Sequence, residues 1–401
     1  MTQDLDELDE QLQQLYNLKA RGMKLGLENM KKLLAELGNP HQRKGITFIH
    51  ATGTNGKGSV CAMLSSILKT AGYKVGMFTS PHLIRVNERI KINDQEIDDA
   101  MLCKYIQKVR PFVDAIGNTF FETINAIAFQ YFADQKVDYA IIEVGLGGTY
   151  DSTNVMVPKI AVLTDIGLDH MHILGDTVEK ITLEKCGIIK ERIDVVTSND
   201  HAVLEIIKKT CEQKHARLHI TTASAIPTNL RGEFQKRNVA IAEKVAALLS
   251  IQKSTIKQGL LDVNWPGRMQ TINYESHTFL LDCAHNQPAF AELAKELRKI
   301  PQKKIVIVGM SKDKDIKTCL GYLGDEKQII FTKANMERGA EPEELVQYQK
   351  GVITRNLEEA LEKARELDSN HEHLIVVMGS IFLVGEFLGI IKQEKSVLIG
   401  Y

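Results

Sequence analysis

Residues 45–59 read GITFIHATGTNGKGS, and this stretch decides the fold. Residues 45–51 form a short apolar run that predicts a strand, and a helical pattern continues from the end of the stretch to residue 71. A glycine-rich segment, residues 53–59, lies between them. Glycines let the backbone turn its N–H groups inward, and the helix N-terminus attracts anions. The sequence therefore predicts a phosphate-binding loop rather than a plain glycine-rich turn.

The loop supplies the candidate nucleotide-binding residues. Lys57 adds a positive charge for the β- and γ-phosphates of a nucleotide. In the ordinary phosphate loop Ser or Thr follows the lysine directly, whereas here Gly58 stands between Lys57 and Ser59. This departure argues against the large GTPase and motor-ATPase groups. The predicted nucleotide-binding residues of the loop are Gly53, Thr54, Asn55, Gly56, Lys57, Gly58 and Ser59.

Strand and helix patterns alternate from this loop along the chain. We expect residues 3–37 to be helical, and we expect helices between the strands. Alternation of this kind indicates βαβ units and a parallel sheet. The further strands predicted in this part of the chain cover residues 75–79, 138–144, 160–165 and 194–197.

A break in the pattern falls at DVNWPGR, residues 262–268, after a predicted helix over residues 253–262. We predict an α/β fold of two domains: an N-terminal P-loop domain with a mostly parallel sheet, residues 1–264, and a smaller C-terminal Rossmann-like α/β domain, residues 265–401. The strands predicted beyond the break cover residues 269–274, 277–282, 304–309, 328–332 and 374–378.

The composition excludes several classes of protein. The chain has 401 residues, 44% hydrophobic and 25% charged, with a net charge of -1, so neither disorder nor nucleic acid binding is indicated. Its apolar runs are far shorter than the ~20 residues of a membrane span. The acidic N-terminus does not resemble a signal peptide. Scattered cysteines without a CxxC pair indicate free thiols. We expect a cytoplasmic monomer without membrane or nucleic acid partners.

The loop sequence GTNGKGS resembles that of the Mur ligase superfamily, and within it the folylpolyglutamate synthase/dihydrofolate synthase family. The resemblance runs from about residue 20 to residue 390, and its motifs occur in one order. It implies an ATP-binding domain with the folate site, followed by a glutamate-ligase domain. The stretches that carry it after the loop are TSPHL (79–83), NERI (87–90), IIEVGLGG (141–148), EKCGIIK (184–190), WPGR (265–268), LDCAHN (281–286), GMSKDKD (309–315) and GSIFLVGE (379–386).

The resemblance implies two Mg²⁺ ions beside ATP. It assigns Ser80 and Glu143 to the first ion, and His170 and a carbamylated Lys185 to the second. Glu143 ends a predicted strand, where a carboxylate faces the ligand crevice of a parallel sheet and suits Mg²⁺. His170 and His172 leave a Zn²⁺ site as an alternative. By residue type alone, Lys185 reads as a surface lysine of a helix.

The resemblance also implies contacts to nucleotide and glutamate. Asn238 contacts the nucleotide, and Arg268 reaches the ATP phosphates, for which a guanidinium is suited. Asp282 and His285 belong to the nucleotide and glutamate sites. Ser380, at a helix N-terminus, binds the glutamate carboxylate or serves as an ordinary N-cap. The implied catalytic residues are Lys57, His170, Lys185, Asp282 and His285.

The resemblance extends to the acceptor site, with three departures from the family pattern in the chain. Residues 25–28 and 120–122 resemble pterin-pocket segments of bifunctional members. Thr149 stands where bifunctional sequences commonly have Arg, Cys283 replaces a usual Gly, and Gln287 precedes Pro288 where the family has Asn-Pro. The implied substrate residues are Pro81, His82, Arg85, Phe121, Glu122, Asp151 and Ser380.

The resemblance implies an ATP-dependent amide ligase that adds L-glutamate to dihydropteroate, to reduced folates or to both through an acyl phosphate. We favour the bifunctional enzyme. A monofunctional folylpolyglutamate synthase, a cell-wall Mur ligase and an inactive folate-binding relative are alternatives. A nucleotide-binding switch protein would explain Lys57 but not the WPGR and LDCAHN motifs.

Overall fold

The computed structural model describes residues 2–22, 24, 26–324 and 328–393. Its helices are α1 (Thr2–Asn17), α2 (Glu28–Glu36), α3 (Lys57–Thr70), α4 (Asp99–Ile116), α5 (Phe120–Asp134), α6 (Met171–Leu174), α7 (Val178–Lys185), α8 (His201–Gln213), α9 (Gln235–Leu248), α10 (Lys253–Asp262), α11 (Gln287–Lys299), α12 (Ile316–Gly321), α13 (Pro342–Leu345), α14 (Leu357–Leu367) and α15 (Ile381–Lys392). Short 3₁₀ turns cover Leu18–Arg21, Pro40–Gln42, Val86–Arg89, Ser152–Val155 and Cys186–Ile188.

The strands are β1 (Thr47–Thr52), β2 (Val75–Phe78), β3 (Ile90–Ile92), β4 (Gln95–Glu96), β5 (Tyr139–Glu143), β6 (Ile160–Leu163), β7 (Asp194–Thr197), β8 (Arg217–Ile220), β9 (Gln270–Tyr274), β10 (His277–Leu281), β11 (Lys304–Val308), β12 (Ile329–Phe331), β13 (Val352–Ile353) and β14 (Leu374–Met378). They form two sheets. The boundary proposed near residue 265 lies between α10 and β9.

The first sheet has the order β4-β3-β2-β5-β1-β6-β7-β8. Its strands from β2 to β8 pair in parallel, and only the edge strands β3 and β4 pair antiparallel within the described residues. Helices cover both faces, as a parallel sheet requires. On one face α3, α9 and α10 pack in one apolar cluster, and on the other α1, α2, α4 and α5 pack in a second.

The second sheet has the order β13-β12-β11-β14-β10-β9. Its strands are parallel except for the edge strand β9, which pairs antiparallel with β10. Helices α14 and α15 cover one face, and α11 and α12 cover the other. The predicted α/β fold with two mostly parallel sheets is therefore confirmed. No helix of the described residues is long and apolar enough to cross a membrane.

The expected helix over residues 3–37 is wrong in its middle. Helix α1 ends at Asn17, and α2 begins only at Glu28. Gly22 and Gly26 interrupt the helix because both adopt positive φ, 66° and 123°. Of the segment 25–28 that resembles a pterin pocket, residue 25 lies outside the described residues.

The two halves of the chain share part of one apolar core. Ile84 is 2% exposed and belongs to the apolar cluster of the second sheet, and Leu83 packs against the same cluster. The carbonyl oxygen of Leu83 lies against Gly385 of α15, where an added Cβ would be only 2.0 Å from it. The loop after β2 is therefore held between the two sheets.

We expect Gly385→Ala to destabilise the protein by about 1–3 kcal/mol, because the methyl group meets backbone that cannot rotate away. The Tm should fall by about 1 °C for each kcal/mol, because the unfolding entropy of a chain of 401 residues is about 0.8 kcal/mol/K. Gly321→Ala is the matched control, since no atom lies within 4 Å of a Cβ at this helical glycine. An unchanged Tm for Gly385→Ala would show that α15 and the loop do not meet as described.

Candidate active site

A cavity of about 1090 Å³ lies between the carboxyl ends of the two sheets. This is where ligands bind in open α/β folds. Both sheets contribute side chains to it, and most of the predicted site residues line it: Gly53, Thr54, Asn55, Gly56, Lys57, Gly58, Ser59, Ser80, Pro81, Phe121, Glu122, Glu143, Asp151, His170, Lys185, Asn238, Arg268, Asp282, His285 and Ser380. His82 and Arg85 are not among the lining residues.

The phosphate loop between β1 and α3 is closed on itself. Lys57 Nζ donates hydrogen bonds to the carbonyl oxygens of Gly53 at 3.0 Å and Thr54 at 3.2 Å. Gly56 has a φ of 88°, and a Cβ there would lie 2.5 Å from Asn238 Oδ1. The side chain of Asn238 therefore lies directly against the loop.

The unusual Gly58 has a local reason. A Cβ at this position would lie 3.0 Å from the indole ring of Trp265, which covers the start of α3. The Ser or Thr of an ordinary phosphate loop would have to displace this ring. The WPGR motif does not reveal this role of Trp265, because Gly58 lies more than 200 residues away in the sequence.

Ser80 and Glu143 meet at the end of β5. The backbone N–H of Ser80 donates to Glu143 Oε2 at 3.1 Å, and Glu143 is 4% exposed. Burial raises the pKa of Glu143, while Lys57, the bond from Ser80 and Arg268 oppose this shift. A buried carboxylate beside a hydroxyl-bearing residue is a set of hard oxygen donors, which fits Mg²⁺.

Lys185 is buried rather than on the surface, so the reading from residue type alone is wrong. It is 4% exposed, and its Nζ donates to the carbonyl oxygen of Gly53 at 2.9 Å. Burial and, next, the charge of Lys57 lower the pKa of Lys185 to about 7, although Asp169 opposes the shift. At neutral pH a large fraction of this amine is therefore uncharged and nucleophilic.

His170 also lines the cavity. Its φ of 50° is left-handed, and it precedes α6. Burial is the largest cause that lowers the pKa of His170 to about 4, while Asp169 opposes it. The imidazole is therefore neutral at pH 7, which is the form that binds metal ions.

Asp282 and His285 form the turn after β10. The carboxylate of Asp282 accepts bonds from Met269 N at 2.9 Å and Ala284 N at 2.8 Å, and so holds the turn together. His285 Nδ1 lies 2.9 Å from the carbonyl oxygen of Cys283. Burial lowers the pKa of His285 and keeps the imidazole neutral. The turn forms with Cys283 in place of Gly.

Ser380 precedes α15 at the carboxyl end of β14. Its Oγ accepts a hydrogen bond from Phe382 N at 3.2 Å, which is the geometry of an N-cap. The same residue lines the cavity. A capping serine and a ligand-binding helix N-terminus are therefore compatible at this position.

Asp169 joins the two sheets beside the phosphate loop. Lys314 Nζ lies 2.6 Å from Asp169 Oδ1, and Asn286 Nδ2 donates to Asp169 Oδ2 at 2.9 Å. The same Asn286 amide bonds to Asn55 Oδ1 at 3.1 Å. Burial raises the pKa of Asp169, but His285 and Lys314 outweigh it and hold this pKa well below its ordinary value. Sequence reasoning gave these residues no role, because nothing in the motifs shows that they meet.

Two predicted substrate residues also hold local structure. Glu122 Oε2 accepts bonds from Thr119 N at 2.8 Å and Thr119 Oγ1 at 3.0 Å, which forms a capping box at the start of α5. Asp151 accepts from Leu146 N and Thr153 N, both at 2.9 Å, and so fixes the loop after β5. Both carboxylates still line the cavity.

His82 and Arg85 are directed to other partners. Arg89 Nε donates to His82 Nδ1 at 2.9 Å, and Arg85 Nη2 lies 3.1 Å from Asp99 Oδ1. Arg89 itself lines the cavity and lies 5.4 Å from the ring of Phe120. The NERI motif gave it no role, so this buried cation was missed. We call the end of the cavity around Arg89 and Phe121 the acceptor end, because the resemblance implies that the acceptor binds at Phe121.

Further cations lie at the same end of the cavity. Lys19 and Lys24 both line it. Burial and the charge of Arg89 lower the pKa of Lys19 to about 8. Phe121 completes this end, since a Cβ at Gly145 would lie 2.4 Å from its ring. This end combines an aromatic wall with several cations, which suits a flat ligand that carries carboxylates.

Thr149 packs away from the cavity. Its Oγ1 donates to the carbonyl oxygen of Glu184 at 3.0 Å, and a Cβ at Gly187 would lie 2.1 Å from the same Oγ1. The residue therefore ties the loop after β5 to the end of α7, next to Lys185. Tyr150 lines the cavity in this region.

Comparison with known proteins gives two family matches. The Mur ligase middle domain matches residues 51–276, and the Mur ligase glutamate ligase domain matches residues 267–381. The chain is similar to the dihydrofolate synthase/folylpolyglutamate synthase of Bacillus subtilis, with 38% identity over 317 residues. The match covers 69% of this chain and 73% of that protein.

Solved structures agree with these matches. Escherichia coli FolC in complex with DHPP and ADP has a TM-score of 0.86 and 29% identity, over 96% of this chain and 98% of that chain. A bifunctional folylpolyglutamate synthase/dihydrofolate synthase with Mn, AMPPNP and L-glutamate bound has a TM-score of 0.86 and 28% identity, over 94% of this chain and 96% of that chain.

Proposed function

The chain belongs to the folylpolyglutamate synthase/dihydrofolate synthase family of the Mur ligase superfamily, and we propose that it is the bifunctional member, joining L-glutamate to both dihydropteroate and reduced folates. It is an ATP-dependent ligase of folates and glutamate. One observation carries the assignment: a single cavity holds the phosphate loop and the buried Glu143 on one side and Asp282 and His285 on the other. A phosphorylated acceptor and an incoming amino acid can meet there.

The first step transfers the γ-phosphate. A carboxylate oxygen of the acceptor attacks the γ-phosphorus, and the bond from the γ-phosphorus to the bridging β-phosphate oxygen breaks. The products are an acyl phosphate and ADP. Such a transfer needs positioning and charge neutralisation more than covalent help. Lys57 and Arg268 are the chain's own cations for this task, and both line the cavity.

The second step forms the amide. The neutral amine of L-glutamate attacks the acyl carbon, a tetrahedral intermediate forms, and phosphate leaves as the amine loses its proton. We assign Ser380 and the N-terminus of α15 to the glutamate carboxylate. We assign Asp282 and His285 to orienting the amine beside the acyl phosphate. The contacts of Asp169 close the cavity beside the loop and so limit hydrolysis of the acyl phosphate by water.

We assign two Mg²⁺ sites to residues of this cavity. Ser80 and Glu143 would hold the first ion, and His170 and a modified Lys185 would hold the second. Magnesium, when bound, neutralises charge on the phosphates. The modification is a carbamate: the uncharged Nζ of Lys185 forms a bond to the carbon of CO₂ and loses a proton. The buried position and the pKa of about 7 support it, because an uncharged amine is the reactive form.

The cations at the acceptor end support both acceptor classes. Dihydropteroate carries one carboxylate, and a reduced folate already carries a glutamate tail. Arg89, Lys19 and Lys24 supply more positive charge than one carboxylate needs, which fits the longer acceptor. The aromatic wall around Phe121 fits the pterin that both share. Since one chain supplies both sides of the cavity, we also propose that the protein acts as a monomer; its free cysteines favour the cytoplasm.

Product analysis by mass spectrometry tests the bifunctional assignment. We expect glutamylated product when the protein, ATP, Mg²⁺ and L-glutamate are incubated with dihydropteroate, and again when they are incubated with tetrahydrofolate. Reactions without glutamate are the control. Product with tetrahydrofolate alone would make the enzyme a monofunctional folylpolyglutamate synthase, and product with dihydropteroate alone a dihydrofolate synthase. Product in neither reaction would direct the search to cell-wall acceptors.

A further inference from the structure

A second group of potential metal ligands lies at the amino end of strand β10 in the second sheet, away from the cavity. His277 begins β10, Asp368 follows α14, and His371 lies in the connection from α14 to β14. One ligand atom from each of the three lies within 4.8 Å of the other two. Asp282 of the cavity lies five residues beyond His277 along β10, which is about 16 Å in a strand. The group is therefore separate from the ATP cavity.

Asp368 is the centre of the group. Its side chain is 1% exposed, and Oδ2 lies 2.8 Å from His277 Nδ1. Oδ1 accepts from His373 N at 2.8 Å and lies 3.1 Å from His373 Nδ1. When an ion binds, it takes the place of the proton that His277 Nδ1 and Asp368 Oδ2 share, and both atoms become ligands. Oδ1 keeps its bonds to His373, which hold the carboxylate in place.

His371 completes the group from the solvent side. Its ring lies 4.5 Å from the ring of His277, and its backbone N–H donates to the carbonyl oxygen of Asp368 at 2.9 Å. Its φ of 54° is left-handed, which turns the connection back over α14. Tetrahedral bonds of about 2.0–2.2 Å place ligand atoms about 3.4 Å apart, so the site closes when this exposed side chain rotates and His277 and Asp368 move slightly apart.

We propose that His277, Asp368 and His371 bind one divalent transition-metal ion of the class that prefers imidazole, with Zn²⁺ as the probe. Two imidazoles and a carboxylate suit Zn²⁺ and disfavour Mg²⁺. His373 acts as a positioning residue because it bonds to Asp368 from the other oxygen. The ion joins the turn between β9 and β10 to the end of α14, and so it stabilises the second sheet without touching substrate.

The test compares Zn²⁺ binding by two variants, each of which lacks one exposed histidine. Three metal-stripped proteins are titrated with Zn²⁺ in excess Mg²⁺: the wild type, His371→Ala and His215→Ala. A chromophoric chelator competes for the Zn²⁺ and reports how much each protein binds. His215 is an exposed histidine with a φ of 49°, so it matches His371 in exposure and backbone but lies outside the group. We expect His371→Ala to lose one equivalent of Zn²⁺, weakening that site by about 100-fold, and His215→Ala to retain it.

Thermal unfolding gives the second readout. Zn²⁺ should raise the Tm of the wild type and of His215→Ala but not of His371→Ala, while ligase activity in Mg²⁺ stays the same in all three. Zn²⁺ uptake that is equal in His371→Ala and the wild type would place the ion elsewhere and overturn the proposal. Absence of Zn²⁺ uptake by the wild type would also overturn it and leave a hydrogen-bonded cluster of His and Asp.

Discussion

We expect Lys57→Ala to lower kcat/KM by about 10³-fold or more. In the described structure Lys57 Nζ donates hydrogen bonds to two carbonyl oxygens of its own loop, those of Gly53 and Thr54. These acceptors are neutral, so phosphate oxygens can replace them. In the mechanism proposed above, the variant lacks the side chain that neutralises the negative charge developing on the transferred phosphate. Steady-state kinetics with tetrahydrofolate, ATP and glutamate measure the effect.

Lys69→Ala is the matched control for this variant. Lys69 lies on the same helix, α3, but is exposed and pairs with Asp94 on the surface. An exposed pair of this kind contributes about 0–1 kcal/mol to stability, so the control should keep its activity. If Lys57→Ala turned over within tenfold of the control, the assignment of residues 53–59 as the phosphate site would be wrong.

Lys185→Ala should lose activity to a similar extent and regain part of it with short carboxylic acids. In the proposed enzyme the carbamate supplies an anion next to His170, and acetate or formate can occupy the space that the shortened side chain leaves. The pKa of about 7 adds a dependence on pH. Below it the amine is protonated and cannot take up CO₂, so wild-type activity should fall on the acid side and respond to added bicarbonate.

Lys180→Ala controls for the loss of a lysine from α7. Lys180 lies on the same helix, but it is exposed and pairs with Asp176 at 2.8 Å. It should keep wild-type rates with and without acetate. Wild-type activity of Lys185→Ala in the absence of any carboxylic acid would remove the carbamate from the mechanism.

Two strands were predicted with the correct bounds, β7 at residues 194–197 and β14 at residues 374–378, and both are buried along their whole length. Strands β3, β4, β8 and β13 were missed because they are short and partly exposed, at a sheet edge or next to one. The sequence does contain a signal for the β3–β4 turn, the residue pair Asn93-Asp94. Asn and Asp tolerate the positive φ that two-residue hairpin turns require, and both residues adopt it here.

The candidate site divides in the same physical way. Residues that belong to one motif, such as Lys57 and Glu143, line the cavity as the motif predicts. Contacts between distant motifs were not, as for Trp265 on Gly58 and Lys314 on Asp169, because sequence spacing carries no information about which loops face each other. Glu122 shows a signal that was available and unused: Thr119 and Glu122 have the spacing of a capping box.

The loop that carries Leu83 and Ile84 has a consequence for the order in which the chain is made. These side chains complete the core under α15, yet the ribosome delivers them about 300 residues earlier. When α15 leaves the ribosome, the first sheet and the loop that carries these two side chains have already been synthesised. A circular permutant that began near residue 265 would reverse this order, and its second sheet would form while part of its core was still unsynthesised.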